Sequence, residues 1–70
     1  MKVKDIISNM VDNYLKVVIE VFDHNTNLIK DRYYIEPHSV DFTNIPHRVW
    51  NTEVGMIVLY YDSLVISVSD

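Results

Sequence analysis

The segment from Tyr14 to Ile35 carries the strongest fold signal in the sequence. Its residues 15–35 form three blocks: Leu15-Lys16-Val17-Val18-Ile19-Glu20-Val21-Phe22, Asp23-His24-Asn25-Thr26-Asn27 and Leu28-Ile29-Lys30-Asp31-Arg32-Tyr33-Tyr34-Ile35. The first and third blocks are rich in β-branched and aromatic residues, and the polar block between them is rich in residues that tolerate turns. The segment therefore predicts a β-hairpin. Alternate residues of its first arm form one uniformly apolar face, made of Leu15, Val17, Ile19 and Val21.

In the second arm of this hairpin, the pattern of apolar residues indicates less clearly which side faces the core. Ile29, Tyr33 and Ile35 form the better apolar set, but Asp31 falls within the same alternation. The register of this arm is therefore left open. On the other face of the first arm, Val18 and Phe22 place large apolar groups between charged residues.

Residues 3–13 and 53–69 supply the other regular elements. Apolar residues recur at helical spacing from Val3 to Val11, which predicts an amphipathic helix over 3–13 that packs on the sheet. Residues 53–60 and 64–69 predict a second hairpin with a tight turn near residues 61–63. The strand at 53–60 is apolar on both faces, as is typical of a central strand, and Gly55 within it predicts a bulge or a close backbone approach.

Residues 37–52 leave two conformations open, a helical turn over Pro46–Trp50 or a short extended piece that ends at Ile45. Residues 1–70 are expected to form a single α+β domain. Its predicted architecture is an N-terminal helix packed on a four-stranded antiparallel sheet made of the two hairpins. The alternative is a small barrel of the SH3 or Sm-like type.

Composition narrows the classes of function. The formal charge is −4, which works against phosphate binding and favours a partner with a basic surface. The chain has no cysteine, so a disulfide or thiolate site is excluded. A core of this size stabilises a fold weakly, and about half of the residues are hydrophobic, so a homodimer is expected. No signal peptide or membrane-spanning run is apparent, which predicts a cytoplasmic protein.

No group of residues predicts catalysis or a cofactor. The serines lie in no nucleophile motif, and one glycine cannot build a phosphate-binding loop. His38, Asp41 and His47 could form a metal site if the segment between them folded back, but their spacing matches no ligand motif. We therefore predict no enzymatic activity, no cofactor and no metal.

Two kinds of binding surface remain. Basic residues stand next to aromatic residues on one strand and could stack single-stranded nucleic-acid bases: Lys30, Arg32, Tyr33 and Tyr34. The net acidity disfavours this alternative. The better-supported hypothesis is a protein interface on the sheet face opposite the helix, built from large residues that one helix cannot cover: Val18, Phe22, Tyr34, Trp50, Tyr60 and Tyr61.

The chain also resembles a group of small proteins. Residues 1–10 (Met-Lys-Val-Lys-Asp-Ile-Ile-Ser-Asn-Met), residues 16–23 (Lys-Val-Val-Ile-Glu-Val-Phe-Asp) and the closing Leu-Val-Ile-Ser-Val of residues 64–68 resemble uncharacterised proteins of Firmicutes genomes and their prophages. The resemblance implies no known activity and no functional residues. It implies a phage-borne accessory protein, a class that includes small acidic inhibitors of host defence such as anti-CRISPR proteins.

Overall fold

A computed structural model of the chain describes residues 1–8, 15–37 and 44–69. These ranges contain two short helices and four strands: α1 (Val3–Ser8), β1 (Lys16–Phe22), β2 (Ile29–Ile35), α2 (His47–Trp50), β3 (Val54–Tyr60) and β4 (Ser63–Ser69). The expected helix over residues 3–13 is thus present in its first part, and its second part lies outside the described residues. Both predicted hairpins are confirmed, since β1 pairs with β2 and β3 pairs with β4, each antiparallel.

The turn of the first hairpin is held by Asp23. Its carboxylate Oδ1 accepts hydrogen bonds from the backbone N–H of Asn25 (2.7 Å) and Thr26 (3.3 Å). Asn27 takes a left-handed conformation with φ 59°, which asparagine tolerates better than most residues. The Asp23 N–H then donates to the carbonyl of Leu28 at 2.7 Å and closes the loop. Polar side chains thus supply the turn geometry in a loop that contains no glycine.

The sheet joins the two hairpins in parallel, and the expectation of a purely antiparallel sheet is wrong. The strand order is β2-β1-β4-β3, and β1 runs parallel to β4 from Lys16, opposite Ser63, to Phe22, opposite Ser69. Strands β2 and β3 therefore lie at opposite edges and run in the same direction. The chain between them, residues 36–53, has the length that a crossover between strands of the same direction requires. The described strands form an open sheet, so the barrel alternative is also incorrect.

One face of the sheet carries the core. Alternate residues of β1 are buried, and their neighbours Ile66 and Val68 on β4 are buried beside them. Both helices pack on this face, α1 through Val3 and Ile7, and α2 through Val49. The inward direction predicted for the first arm and for the last strand is thus confirmed.

Asp31 is tolerated on this face because its side chain is 43% exposed and has a cationic neighbour there. It lies opposite Val21 on the helix side of the sheet, and its Oδ2 is 3.9 Å from Nη2 of Arg48 on α2. A register shift at the end of β1 then places Ile29 opposite Phe22, on the outer side. The shift explains why Ile29, which the alternation assigned to the interior, is 37% exposed.

Helix α2 is one turn long and confirms the helical alternative for residues 46–50. Pro46 precedes it with φ −62° and ψ 146°, an extended conformation at the start of a helix that needs no N–H from this residue. Ile45 and Val49 are 4% and 2% exposed and anchor the turn in the core. The extended alternative for residues 40–45 falls mostly on residues that are not described.

Strand β3 lies at the edge of the sheet, so the expectation that it is a central strand is wrong. Its residues from Met56 to Tyr60 are all exposed. The predicted bulge is confirmed: Val54 pairs with Val68 and Met56 with Ser67, which leaves Gly55 as the extra residue. A Cβ atom at Gly55 would lie 3.4 Å from the carbonyl oxygen of Ser67.

Candidate protein-interaction surface

The sheet face opposite the helices, here called the outer face, carries an apolar row that crosses every strand. Val18 of β1 is aligned with Tyr34 on β2 and with Val65 on β4, and Val65 is aligned with Val58 on β3. Residues aligned in register project to the same face of a sheet. We call these four residues the transverse row. Tyr34 is 49% exposed and Val58 is 40% exposed, whereas Val18 and Val65 are half-buried.

Charged groups border this row at the β1–β2 side of the sheet. On one flank, Nζ of Lys16 lies 5.1 Å from the centre of the Tyr34 ring, a cation–π distance. On the other flank, Nε of Arg32 donates to Oε2 of Glu20 at 3.0 Å. Both pairs are solvent-accessible and contribute little to stability. They give the row a polar margin, which is the anatomy of a protein interface with an apolar centre and a charged rim.

At the other end the row meets a second apolar surface, the β3 edge, which we define as residues 56–61. Its six residues are apolar or aromatic and consecutive, and their exposed fractions are 60% for Met56, 46% for Ile57, 40% for Val58, 64% for Leu59, 62% for Tyr60 and 87% for Tyr61. Met56, Val58 and Tyr60 project to the outer face, because their partners on β4 do. Ile57 and Leu59 project to the helix side, where the core does not extend to cover them.

The N-terminal residues cover only the beginning of β3. The N–H of Val54 donates to the carbonyl of Met1 at 2.8 Å, and the N–H of Val3 donates to the carbonyl of Thr52 at 3.2 Å. The N-terminal ammonium group forms an ion pair with Oε2 of Glu53 at 2.7 Å. Beyond Val54, none of the described residues forms a strand along the free side of β3.

The opposite edge of the sheet has a different composition. The first half of β2 contains Lys30-Asp31-Arg32, of which Lys30 and Arg32 are exposed and Asp31 is half-buried, and charges on an edge strand oppose pairing with another strand. The β3 edge contains no charged residue and no proline. The sheet therefore has one charged edge and one apolar edge.

Tyr61 occupies a strained position at the tip of the second hairpin. It has φ 57° and forms, with Asp62, the two-residue turn between β3 and β4. Of these two residues only Tyr61 has a positive φ, which matches a type II′ turn, where glycine is the usual first residue. Its ring packs edge-on against Tyr60 with the centroids 4.7 Å apart. Strain of this kind is commonly kept at sites with a function.

The interface residues expected from the sequence are distributed over three places. Val18, Phe22, Tyr34 and Tyr60 lie on the outer face, and Tyr61 lies at the hairpin tip. Phe22 is half-buried and, with Gly55 and Met56, lines a shallow hollow at one end of this face. Trp50 lies on the other side of the sheet, where it packs against the core from α2.

The sequence-based set omitted five residues that the structure adds to these surfaces: Met56, Ile57, Val58, Leu59 and Val65. The available signal was the run from residue 56 to residue 61, which is apolar on both faces. In the sequence alone, that run predicts a central strand. The same pattern at a sheet edge exposes both faces.

The residues of the nucleic-acid alternative do not share one face. Tyr33 is aligned with Ile19 and packs against the core, whereas Tyr34 and Arg32 lie on the outer face. The Arg32 guanidinium is paired with Glu20. Lys30 is exposed beside the register shift. A platform that stacks nucleic-acid bases needs its basic side chains and its aromatic rings on one surface. These four residues do not form such a surface.

The residues considered for metal binding are described only in part. His38 and Asp41 lie outside the described residues, and His47 is exposed at the start of α2. Within residues 1–8, 15–37 and 44–69, no group of three or more histidine, aspartate or glutamate side chains could hold a metal ion.

In the same ranges, neither helix has the length or the apolar character needed to cross a membrane.

In comparisons with known proteins, no family model, no curated protein and no solved structure matches this chain.

Proposed function

We propose that this chain is a non-enzymatic protein-interaction module that binds a protein partner through the transverse row on its outer face. The observation that supports the proposal is the row itself, which runs across all four strands and is covered by neither helix. Contiguous apolar surface rimmed by polar residues commonly marks a protein-interaction site. The exposed Tyr34 ring is the residue of the row best suited to be an energetic hot spot.

The charge of the chain suggests the chemistry of the partner. The formal charge is −4, so a partner with a basic rim around an apolar centre would be attracted and oriented before contact. The resemblance of the sequence to prophage proteins suggests the setting. We therefore propose a phage-type inhibitor or regulator that acts in the cytoplasm on a host protein, and this identity is independent of the surface argument.

Tyr34→Asp is the variant that tests the proposal. Tyr34 is half-exposed on β2, far from the β3 edge, so a charge there changes the outer face with little effect on the core. Leu28→Asp is a matched control, because Leu28 is also a large exposed residue (68%) but lies in the turn after Asn27. Each chain is used to capture proteins from a host extract, and the captured protein is purified and titrated against it by calorimetry.

The expected result is that the purified partner binds the wild-type chain and Leu28→Asp equally and binds Tyr34→Asp at least about tenfold more weakly, as for an interface hot spot. Failure to capture any protein that binds again after purification would contradict the proposal, and so would equal binding by Tyr34→Asp. Capture that disappears after nuclease treatment would instead favour the nucleic-acid alternative.

A further inference from the structure

We propose that the β3 edge pairs with the β3 edge of a second copy of this chain, antiparallel, so that two four-stranded sheets form one continuous sheet. This inference goes beyond the proposed function, because it concerns the backbone edge of β3 rather than binding of a partner on the outer face. It is carried by the hydrogen-bonding directions of β3, the composition of the two edges and the size of the exposed surface.

The backbone groups of Ile57 and Leu59 point away from the sheet. In a two-residue hairpin the flanking pair, here Tyr60 and Ser63, exchanges its hydrogen bonds, and the direction alternates from there along the strand. The N–H and C=O groups of Leu59 and Ile57 therefore face the free side of β3. The bulge at Gly55 reverses the alternation, and the N–H of Val54 faces the free side too, where it bonds to Met1.

These outward groups define a symmetric register. If a two-fold axis passes through Val58, Ile57 of each copy lies opposite Leu59 of the other, and each such pair exchanges two hydrogen bonds. Met56 then faces Tyr60 across the axis, and Val58 faces Val58. All facing pairs are apolar. Cross-strand pairs of this type stabilise antiparallel strands.

The charges at the start of β3 balance. The N-terminal ammonium group and Lys2 lie there with two acidic residues: Glu53 Oε2 is 2.7 Å from the ammonium group, and Asp5 Oδ2 accepts the Lys2 N–H at 2.9 Å. Antiparallel pairing brings this end in one copy next to Asp62 in the turn of the other. No net negative charge therefore faces Asp62.

The exposed area of the β3 edge sets an upper limit on what the pairing can bury. Large aromatic side chains have roughly 150–250 Å² of surface each, and the six residues of the β3 edge, two of them tyrosines, are between 40% and 87% exposed. Each copy thus offers at most on the order of 700 Å², against about 800 Å² per partner in a standard protein–protein interface.

The composition of the two edges selects a second copy as the occupant and a dimer as the product. Edge-to-edge pairing of β3 with the β2 of another copy would set the uncharged run against Lys30, Asp31 and Arg32, and charged edges oppose such pairing. Pairing of β3 with itself uses the apolar edge on both copies. Because this pairing is isologous, the assembly is complete with two copies, and the two edges that stay free are the charged β2 strands.

Sedimentation equilibrium of the full chain tests the inference, with three variants. Leu59→Pro removes the outward N–H but no bond to β4, because proline is tolerated where an edge N–H faces solvent. Leu59→Lys keeps the N–H and sets a charge opposite Ile57 of the other copy. Leu28→Lys is the control, since Leu28 and Leu59 are 68% and 64% exposed. Circular dichroism verifies that each variant is folded.

At micromolar concentration the wild-type chain and Leu28→Lys are expected to have twice the mass of one 8.3 kDa chain. Leu59→Pro and Leu59→Lys are expected to be monomeric, with a dissociation constant raised at least about 100-fold, because the symmetry places two unpaired charges or two missing donors in one interface. If Leu59→Pro is unfolded, the mass of the folded Leu59→Lys variant tests the inference.

A wild-type chain that stays monomeric at high micromolar concentration would overturn the inference, as would a folded Leu59→Lys variant that remains dimeric. Tyr34→Asp separates this inference from the proposed function, because it is expected to lose the partner and to keep the dimer. A dimer with no external partner would refute the proposed function alone. A monomer that binds its partner through Tyr34 would refute the edge pairing alone.

Discussion

Ile66→Ala is expected to destabilise this protein several times more than Ile57→Ala, although the two isoleucines face each other across β3 and β4. Ile66 is 0% exposed and Ile57 is 46% exposed. The substitution removes the same atoms, Cγ1, Cγ2 and Cδ1, at both positions. Any difference between the two costs therefore reports the position of each strand in the sheet rather than the chemistry of the side chain.

The magnitudes follow from burial. Removing these carbons from a buried site loses about 0.8 kcal/mol for each, and the cavity left behind adds a further amount, so Ile66→Ala is expected to cost about 3–4 kcal/mol. At Ile57 about half of the surface is already in water and no closed cavity forms, so the expected cost is about 1 kcal/mol. A domain of this size has roughly 3–5 kcal/mol in total, so Ile66→Ala is expected to retain little or none of this stability.

Urea titration provides the comparison, with the fluorescence of Trp50, the single tryptophan, and far-UV circular dichroism as probes. The protein concentration is kept low enough that both variants are monomeric. Ile66→Val and Ile57→Val extend the measurement to a smaller change, expected to cost about 1 kcal/mol at Ile66 and less than half of that at Ile57. Equal costs at the two positions would refute the assignment of β3 to the edge and of β4 to the interior.

Three further variants test local features. Asp23→Ala removes the acceptor of two backbone N–H groups in the first turn and is expected to cost about 1 kcal/mol in urea titration; no loss of stability would show that the turn forms without its carboxylate. Gly55→Ala is expected to change the free energy of unfolding by less than about 1 kcal/mol. The new Cβ would meet the Ser67 carbonyl oxygen at 3.4 Å, and alanine offsets this contact because it lowers the conformational entropy of the unfolded chain. A larger loss would contradict the geometry of the bulge. Arg32→Ala breaks the ion pair with Glu20 and is expected to cost less than about 1 kcal/mol in low salt, measured by thermal melting; a cost above 2 kcal/mol would mean that the pair is shielded from water.

The local elements were readable from the sequence because they depend on neighbouring residues. Alternation in β1 and β4, the polar turn after Phe22 and the single glycine in β3 each carry their own physical signal. The interior direction of Asp31 could not be resolved, because the residue that accommodates it, Arg48, lies on a helix that is distant in sequence.

The order and direction of the strands depend on long-range pairing, which hydrophobic alternation does not encode. The expected antiparallel sheet followed from treating the hairpins as consecutive neighbours. The length of the connection over residues 36–53 was the available signal, because a parallel arrangement needs a long crossover and an antiparallel one does not.

The candidate surface was predicted in part for the same reason. Val18, Phe22 and Tyr34 were assigned to the outer face because alternation in the first hairpin determines their direction. Trp50 belongs to the predicted set by residue type alone, and its position on α2 places it on the other side of the sheet. The β3 edge was missed as a surface because an apolar run indicates burial unless its place in the sheet is known.

Amide hydrogen exchange at Ile57 and Leu59, measured by NMR over a range of protein concentrations, tests most directly that β3 is an open edge that pairs with a second copy. The amide of Val58, which bonds to β4 in this geometry, is the internal reference. We predict that the Ile57 and Leu59 amides exchange fast at low concentration and become protected as the concentration rises, while the Val58 amide is protected throughout. Fast exchange of Ile57 and Leu59 at every concentration would contradict the pairing, and protection in the dilute monomer would contradict the open edge.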